Sequence, residues 1–261
     1  MNDHLQIANK YFHSRLILGT GKYRSTKQMI KAIESSETEM ITIAIRRLDL
    51  KNPNKKNILD AINWEKYSIL PNTAGCKTAK EAIYIAQLAR EITGSNWVKL
   101  EVIPDTEYLL PDPIQTYKAA KELVNDGFIV LPYINADPIL AQKLESIGCA
   151  TVMPLGSAIG SGQGIQTYEL IKIIIAQASI PVIVDAGLGV PSEASQALEL
   201  GADAVLVNTA IAQANNPELM AESFKMGVIA GRKAFLAGRI PQRTKALPSS
   251  PTKGLSSINK T

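Results

Sequence analysis

A lysine and a glutamate two residues apart in an apolar run, Trp97-Val98-Lys99-Leu100-Glu101-Val102, are the side chains in this sequence best placed to do chemistry. If the run is a strand, alternation sends Lys99 and Glu101 to one face and Val98, Leu100 and Val102 to the other. An ammonium turned into an apolar interior loses solvation, so its pKa falls and more of it becomes the neutral amine that attacks a carbonyl. The same two groups could instead form a structural ion pair. A further carboxylate, Asp185, ends the run Pro181-Val182-Ile183-Val184-Asp185. It is a candidate acid/base, or alternatively a cap for a helix that begins near Pro191.

Around these groups lie loops able to receive an anion. Ala186-Gly187-Leu188-Gly189 lets backbone come close to a ligand, and Asn208-Thr209 leaves free N–H groups at the start of a turn. The segment Gly156-Ser157-Ala158-Ile159-Gly160-Ser161-Gly162-Gln163-Gly164 is too rich in glycine for simple punctuation and could form an anion nest. A phosphate is therefore expected to rest on backbone amides, without a lysine clamp. Gly19-Thr20-Gly21-Lys22 tempts a nucleotide reading that fails. A P-loop would need glycine where Leu16 stands and Ser or Thr in place of Tyr23, and a dinucleotide fingerprint would need glycine where Arg24 stands. The loop reads instead as one near the active site, with Lys22 and Arg24 as candidate charge contacts.

Such groups need a scaffold, and the pattern of the chain supplies one. Apolar, β-branched runs recur at 15–18, 40–45, 68–71, 97–103, 128–133, 150–153, 181–185 and 204–208. Between most of them lie helical periods, such as Thr78 to Ile92 with Ala82, Ile85, Ala86 and Ala89 on one face, and Asp112 to Val124. Thr78 with Glu81 suggests a capping box, and Asp137-Pro138 a helix start with proline at its first position. Strands apolar on both faces suit a parallel sheet covered by helices. Eight βα units in a chain of 261 residues predict an α/β fold, a single-domain (β/α)8 TIM barrel, with active-site groups at the C-terminal ends of the strands. The barrel is expected over 1–243, followed by a flexible polar tail over 244–261, with Asn52 to Asn57 as a polar surface loop.

Composition narrows the partners. The net charge of +4 is spread along the chain without a basic block, which argues against nucleic acid, and no apolar run is long enough to span a membrane. Cys76 and Cys149 offer neither a disulfide framework nor zinc spacing, and a reducing compartment fits them. His4 and His13 both precede the first core strand and read as surface residues. No metal or cofactor is expected. The mature chain is expected to start near Met1, and abundant Lys, Asn and Ile suggest an AT-rich genome.

The segments Leu18-Gly-Thr-Gly-Lys-Tyr-Arg-Ser25, Leu70-Pro-Asn-Thr-Ala-Gly-Cys76, Val98-Lys-Leu-Glu101, Met153-Pro-Leu-Gly156 with Ile159-Gly-Ser-Gly162, Asp185-Ala-Gly-Leu-Gly-Val-Pro191 and Asn208-Thr-Ala-Ile-Ala212 together resemble the thiazole synthase family of thiamin biosynthesis. The likeness covers nearly the whole chain. It implies a homodimeric or homotetrameric sulfur-transferring barrel enzyme that condenses 1-deoxy-D-xylulose 5-phosphate, dehydroglycine and sulfur into a thiazole phosphate. It further implies two protein partners, a thiocarboxylated ubiquitin-like sulfur-carrier protein and the enzyme that makes dehydroglycine. Carried over by position, Lys99 is the imine-forming lysine, Glu101 and Asp185 are the proton-transfer pair, and Gly160, Ala186, Gly187, Asn208 and Thr209 contact the sugar phosphate. Ala158 departs from the pattern, standing where many members have proline, so φ is less restrained there. The expected location is the cytoplasm, or the plastid stroma if the gene is plastid-borne. Two other functions would use the same parts: another lysine-imine sugar-phosphate barrel, of aldolase or pyridoxal phosphate synthase type, or a non-catalytic barrel acting as an assembly subunit.

Overall fold

The computed structural model describes residues 3–47 and 58–249. The chain opens with an antiparallel hairpin, β1 (Leu5–Ile7) and β2 (Lys10–Phe12). Eight parallel strands follow: β3 (Leu16–Gly19), β4 (Met40–Ala44), β5 (Ser68–Asn72), β6 (Trp97–Leu100), β7 (Ile129–Ile134), β8 (Met153–Pro154), β9 (Ile183–Asp185) and β10 (Ala204–Val207). Their spatial order is β8-β7-β6-β5-β4-β3-β10-β9, and parallel bridges Val152 to Val182 and Leu155 to Asp185 join the two ends of the sheet. This is the expected (β/α)8 barrel. All eight sequence runs are strands within it. The hairpin was not foreseen, because its two strands are only three residues each.

The helices are α1 (Thr26–Ser36), α2 (Ile58–Ala61), α3 (Ala79–Thr93), α4 (Pro113–Asn125), α5 (Pro138–Ser146), α6 (Tyr168–Gln177), α7 (Pro191–Leu200), α8 (Thr209–Ala212) and α9 (Pro217–Ala237). Their starts follow from local chemistry. Asp112 and Asp137 each accept from two backbone N–H groups at the heads of α4 and α5, and proline occupies the first turn of both. Thr78 accepts from Glu81 N at 3.2 Å, but the Glu81 carboxylate accepts from Lys77 N rather than from Thr78 N, so the capping box is offset by one residue.

Strand alternation sorts the core into two layers. Val98, Leu100 and Val102 belong to the layer between sheet and helices. Ile17, Met40, Leu70, Trp97, Leu131, Met153, Ile183 and Leu206 fill the barrel interior, and Leu5, Ile7 and Phe12 of the hairpin pack beneath them. The hairpin therefore plugs the N-terminal end of the barrel. Fully burying one such aliphatic or aromatic side chain stabilises by about 1.5–3 kcal/mol. The plug is pinned electrostatically as well: Asp3 pairs with Arg15 at 2.8 Å and with Arg232 of α9 at 2.7 Å. With that end closed, the barrel interior is reached from its C-terminal mouth.

Residues 244–249 are exposed, with neither helix nor strand. The remainder of the expected tail and the Asn52 to Asn57 loop lie outside the described residues.

Candidate active site

Because Trp97 points into the barrel, so do Lys99 and, past the strand end, Glu101, and the three form one inward row along β6. Asp185 ends β9 with the same parity as Ile183 and comes in from the other side. Lys99 Nζ lies 2.6 Å from Asp185 Oδ2 and 3.2 Å from Glu101 Oε1. All three side chains are buried. They form the floor of a cavity of about 1020 Å³ that is also lined by Lys22, Asn208 and Thr209.

The charge state differs from the sequence expectation in sign. Burial works to lower the pKa of Lys99, but the charges of Asp185 and Glu101 and their hydrogen bonds outweigh it, so the ammonium is held above its ordinary range. Burial raises Asp185; Lys99 opposes that shift and the Glu101 charge adds to it, leaving the carboxyl above its usual value. The raised Asp185 favours taking a proton from Lys99, whereas the raised Lys99 opposes giving it up. The nearest proton acceptor for Lys99 is therefore Asp185, at 2.6 Å and itself a reluctant anion. The contact is short but poorly aligned, since Asp185 Oδ2 has no well-formed hydrogen bond. Asp185 does not cap α7: Glu193 does so, accepting from Gly189 N at 2.6 Å and from Val190 N at 3.3 Å.

Above the floor, the loops after β8, β9 and β10 converge. Ala186 has φ 68° and Gly187 φ 83°. A left-handed alanine costs on the order of 1 kcal/mol, and here it turns the chain so that the loops interlock. Gly156 N donates to Asp185 O at 3.2 Å, and Gly164 N donates to Gly187 O at 2.9 Å. A Cβ on Gly187 would fall on Ser157 Oγ and lie 2.5 Å from Ser157 N. Glycine is required there for packing and for φ. The N–H groups of Gly160 and Gly187 have no hydrogen-bond partner among the described residues, and that of Thr209 begins a helix, where no intrahelical acceptor exists. Asn208 Oδ1 is buried without a partner among the described residues.

Lys22 adds a positive charge beside these loops. It sits in the left-handed region at φ 68°, and its Nζ lies 3.6 Å from the position of a Cβ on Gly160, with Thr209 Oγ1 3.7 Å from that same point. Among the described residues no carboxylate pairs with it. The turn after β3 thus directs this candidate charge contact across the mouth and brings it beside the amides. Arg24 does not join it and lines a separate cleft between the starts of α1 and α9.

The remaining candidates stand apart from the site. His4 and His13 lie by the hairpin, their rings 4.5 Å apart, at the opposite end of the barrel. Burial pushes the Cys76 thiol up to about 11 and the Cys149 thiol up to about 12, which leaves both unreactive at neutral pH. No group of three or more His, Cys, Asp or Glu among the described residues could hold a metal ion. No described helix is long and apolar enough to cross a membrane. One inward residue beside the cluster, Tyr133 of β7, was missed from the sequence, although its parity with Leu131 marks it as interior.

Comparison with known proteins adds to this geometry. Residues 6–251 match the family described as Thiazole biosynthesis protein ThiG. A thiazole synthase of Prochlorococcus marinus is 59% identical over 258 residues, covering 97% of both chains. One from a Synechococcus strain is 58% identical over 259 residues, covering 97% of this chain and 94% of its own. Among solved structures, a chain of the Amycolatopsis orientalis BexX/CysO complex superposes with a TM-score of 0.83 at 29% identity, over 92% of this chain and 98% of that one.

Proposed function

The chain belongs to the thiazole biosynthesis protein ThiG family, as a sulfur-transferring thiazole synthase, and we propose that it builds the thiazole phosphate of thiamin on an imine at Lys99. The substrates in this reading are 1-deoxy-D-xylulose 5-phosphate, dehydroglycine and the sulfur of a thiocarboxylated ubiquitin-like carrier protein. The observation that carries the proposal is the single lysine held between Asp185 Oδ2 and Glu101 Oε1 on the floor of the mouth cavity.

The ammonium of Lys99 gives a proton to Asp185, and the amine attacks the C2 carbonyl of the sugar. The carbinolamine loses water to give the imine, which then acts as an electron sink for removal of a proton at C3 and migration of the carbonyl. Glu101 and Asp185 divide these proton transfers, being on opposite sides of the bound carbon. The phosphate rests on the amides around Gly160, Ala186, Gly187, Asn208 and Thr209, with Lys22 supplying charge. Docking of a sulfur carrier is supported by the partner named in the Amycolatopsis complex. A homodimer or homotetramer, a separate enzyme supplying dehydroglycine, and a cytoplasmic or plastid-stromal location complete the reading, the last supported by cyanobacterial relatives.

Borohydride reduction in the presence of 1-deoxy-D-xylulose 5-phosphate, followed by peptide mass mapping, tests substrate and residue together. The expected result is one adduct, on Lys99. Labelling spread over surface lysines, or surviving in Lys99→Ala, would overturn the assignment.

A further inference from the structure

The inner wall of the barrel carries one titratable side chain that the chemistry above leaves unused. Tyr133 of β7 is fully buried, and its hydroxyl has no hydrogen-bond partner among the described residues. Lys99 is in register with Leu131 and Leu100 with Pro132, so the next step along this parallel pair sets Tyr133 beside Glu101 on the same inward face. Its ring packs with Ile103 and Leu155 next to Ile159 and Ala186 of the mouth loops. Lys99 Nζ lies 5.5 Å from the ring centroid, within the range of a cation–π contact. A buried hydroxyl without a partner is destabilising, and phenylalanine would fill the same space without that cost.

Counting hydrogens shows what such a donor can do. As an ammonium, Lys99 carries three N–H bonds and serves both carboxylates. On imine formation one proton passes to Asp185, and the amine adds to the carbonyl carbon. The carbonyl oxygen then leaves as water, carrying one hydrogen from the amine nitrogen and one returned by Asp185. The protonated imine that remains has a single N–H. Two buried carboxylates now share one donor, and one of them is left without a partner.

We propose that Tyr133 is a positioning residue for this imine: its ring face steadies the Lys99 nitrogen, and its hydroxyl becomes the donor to Glu101 when Lys99 can no longer serve both carboxylates. Burial and the charges of Asp185 and Glu101 hold the phenol above its ordinary pKa, so it remains a donor throughout. The proposal rests on the imine reading given above.

The test compares parent, Tyr133→Phe and Tyr133→Leu by thermal melting, by the rate of borohydride trapping with 1-deoxy-D-xylulose 5-phosphate, and by turnover. Tyr133→Phe should melt at or above the parent temperature, because only an unpartnered hydroxyl is lost. Its trapping rate and kcat should fall about 10- to 100-fold, the loss of one hydrogen bond to a charged group, while KM stays within about twofold because the phosphate is held elsewhere. Tyr133→Leu, lacking the ring as well, should trap more slowly still. Parent-like trapping and kcat in Tyr133→Phe would overturn the role of Tyr133 and leave the imine reading intact. Melting several degrees below the parent would show a structural partner for the hydroxyl and overturn it equally. Absence of trapping in the parent would remove the imine reading, and this proposal with it.

Discussion

The barrel holds two charged clusters, one at each end, and they are built in opposite senses. At the N-terminal end two guanidiniums, Arg15 and Arg232, enclose one carboxylate, Asp3. At the C-terminal mouth two carboxylates, Glu101 and Asp185, enclose one ammonium. The lower cluster is well aligned: Arg232 grips both Asp3 oxygens through Nε at 2.9 Å and Nη2 at 2.7 Å, and Arg15 Nη1 also donates to Asp203 O at 2.7 Å. The upper cluster is short, poorly aligned and open to a cavity. Guanidiniums do not lose their protons, so the lower cluster can only hold the hairpin plug in place. A lysine beside a carboxylate that resists ionisation can release one. Charge in the interior therefore serves structure or chemistry according to whether its cation can be deprotonated and whether a ligand can reach it.

The most severe way to break this contrast is to make the upper cation resemble the lower ones. Lys99→Arg keeps the charge between the two carboxylates but forms no imine, so borohydride trapping and thiazole formation should both vanish while the chain stays folded. Retained trapping would mean that another lysine carries the adduct. Next in size are Asp185→Asn and Glu101→Gln, each expected to lower turnover by about 10²–10⁴-fold. At least one of them should still trap substrate, and solvent deuterium uptake at C3 would tell which step each carboxylate serves. Parent-like exchange and turnover in both variants would make the upper cluster structural after all.

A smaller effect is expected from Lys22→Ala, which removes a charge from the phosphate end without touching the cluster. KM for the phosphorylated sugar should rise about 10-fold with kcat little changed. Equal binding of phosphorylated and dephosphorylated sugar by the parent would remove Lys22 and the amides from the phosphate site. The glycine beside it is a poorer probe. In Gly187→Val the side chain meets the Ser157 backbone and distorts the loops themselves, so a loss of binding would not report on the phosphate contact.

The smallest effect belongs to the lower cluster, where Asp3→Asn should cost about 1–3 kcal/mol of stability and leave turnover unchanged. The side-chain hydrogen bond from Arg232 holds the Asp3 carboxyl below its ordinary pKa, with the two guanidinium charges adding to the shift and partial burial opposing it. Its contribution is therefore present above the unfolded carboxyl pKa and disappears as pH falls through the lowered folded value. Melting curves of parent and Asp3→Asn should differ at neutral pH and converge in strong acid. A gap that persisted there would show that the stabilisation at Asp3 does not depend on its charge.

What the sequence determined by itself was local and periodic. The two-residue alternation of a strand sends Lys99 and Glu101 inward and Val98 and Leu100 outward wherever the strand sits, and the βα rhythm places Asp185 at a strand end on the functional face. The same alternation puts Tyr133 inside, but that position was missed because nothing in the chain says what it lies beside. The sign of the pKa shift on Lys99 needed tertiary structure, because burial alone lowers it and only closure of the barrel brings Asp185 across to 2.6 Å. The direction of Lys22, the rule against a side chain at Gly187 and the plug under the core were decided there too. Periodicity is set by bond geometry along a few residues, whereas Coulomb and packing forces depend on distances between strands far apart in sequence, which exist only once the chain has closed.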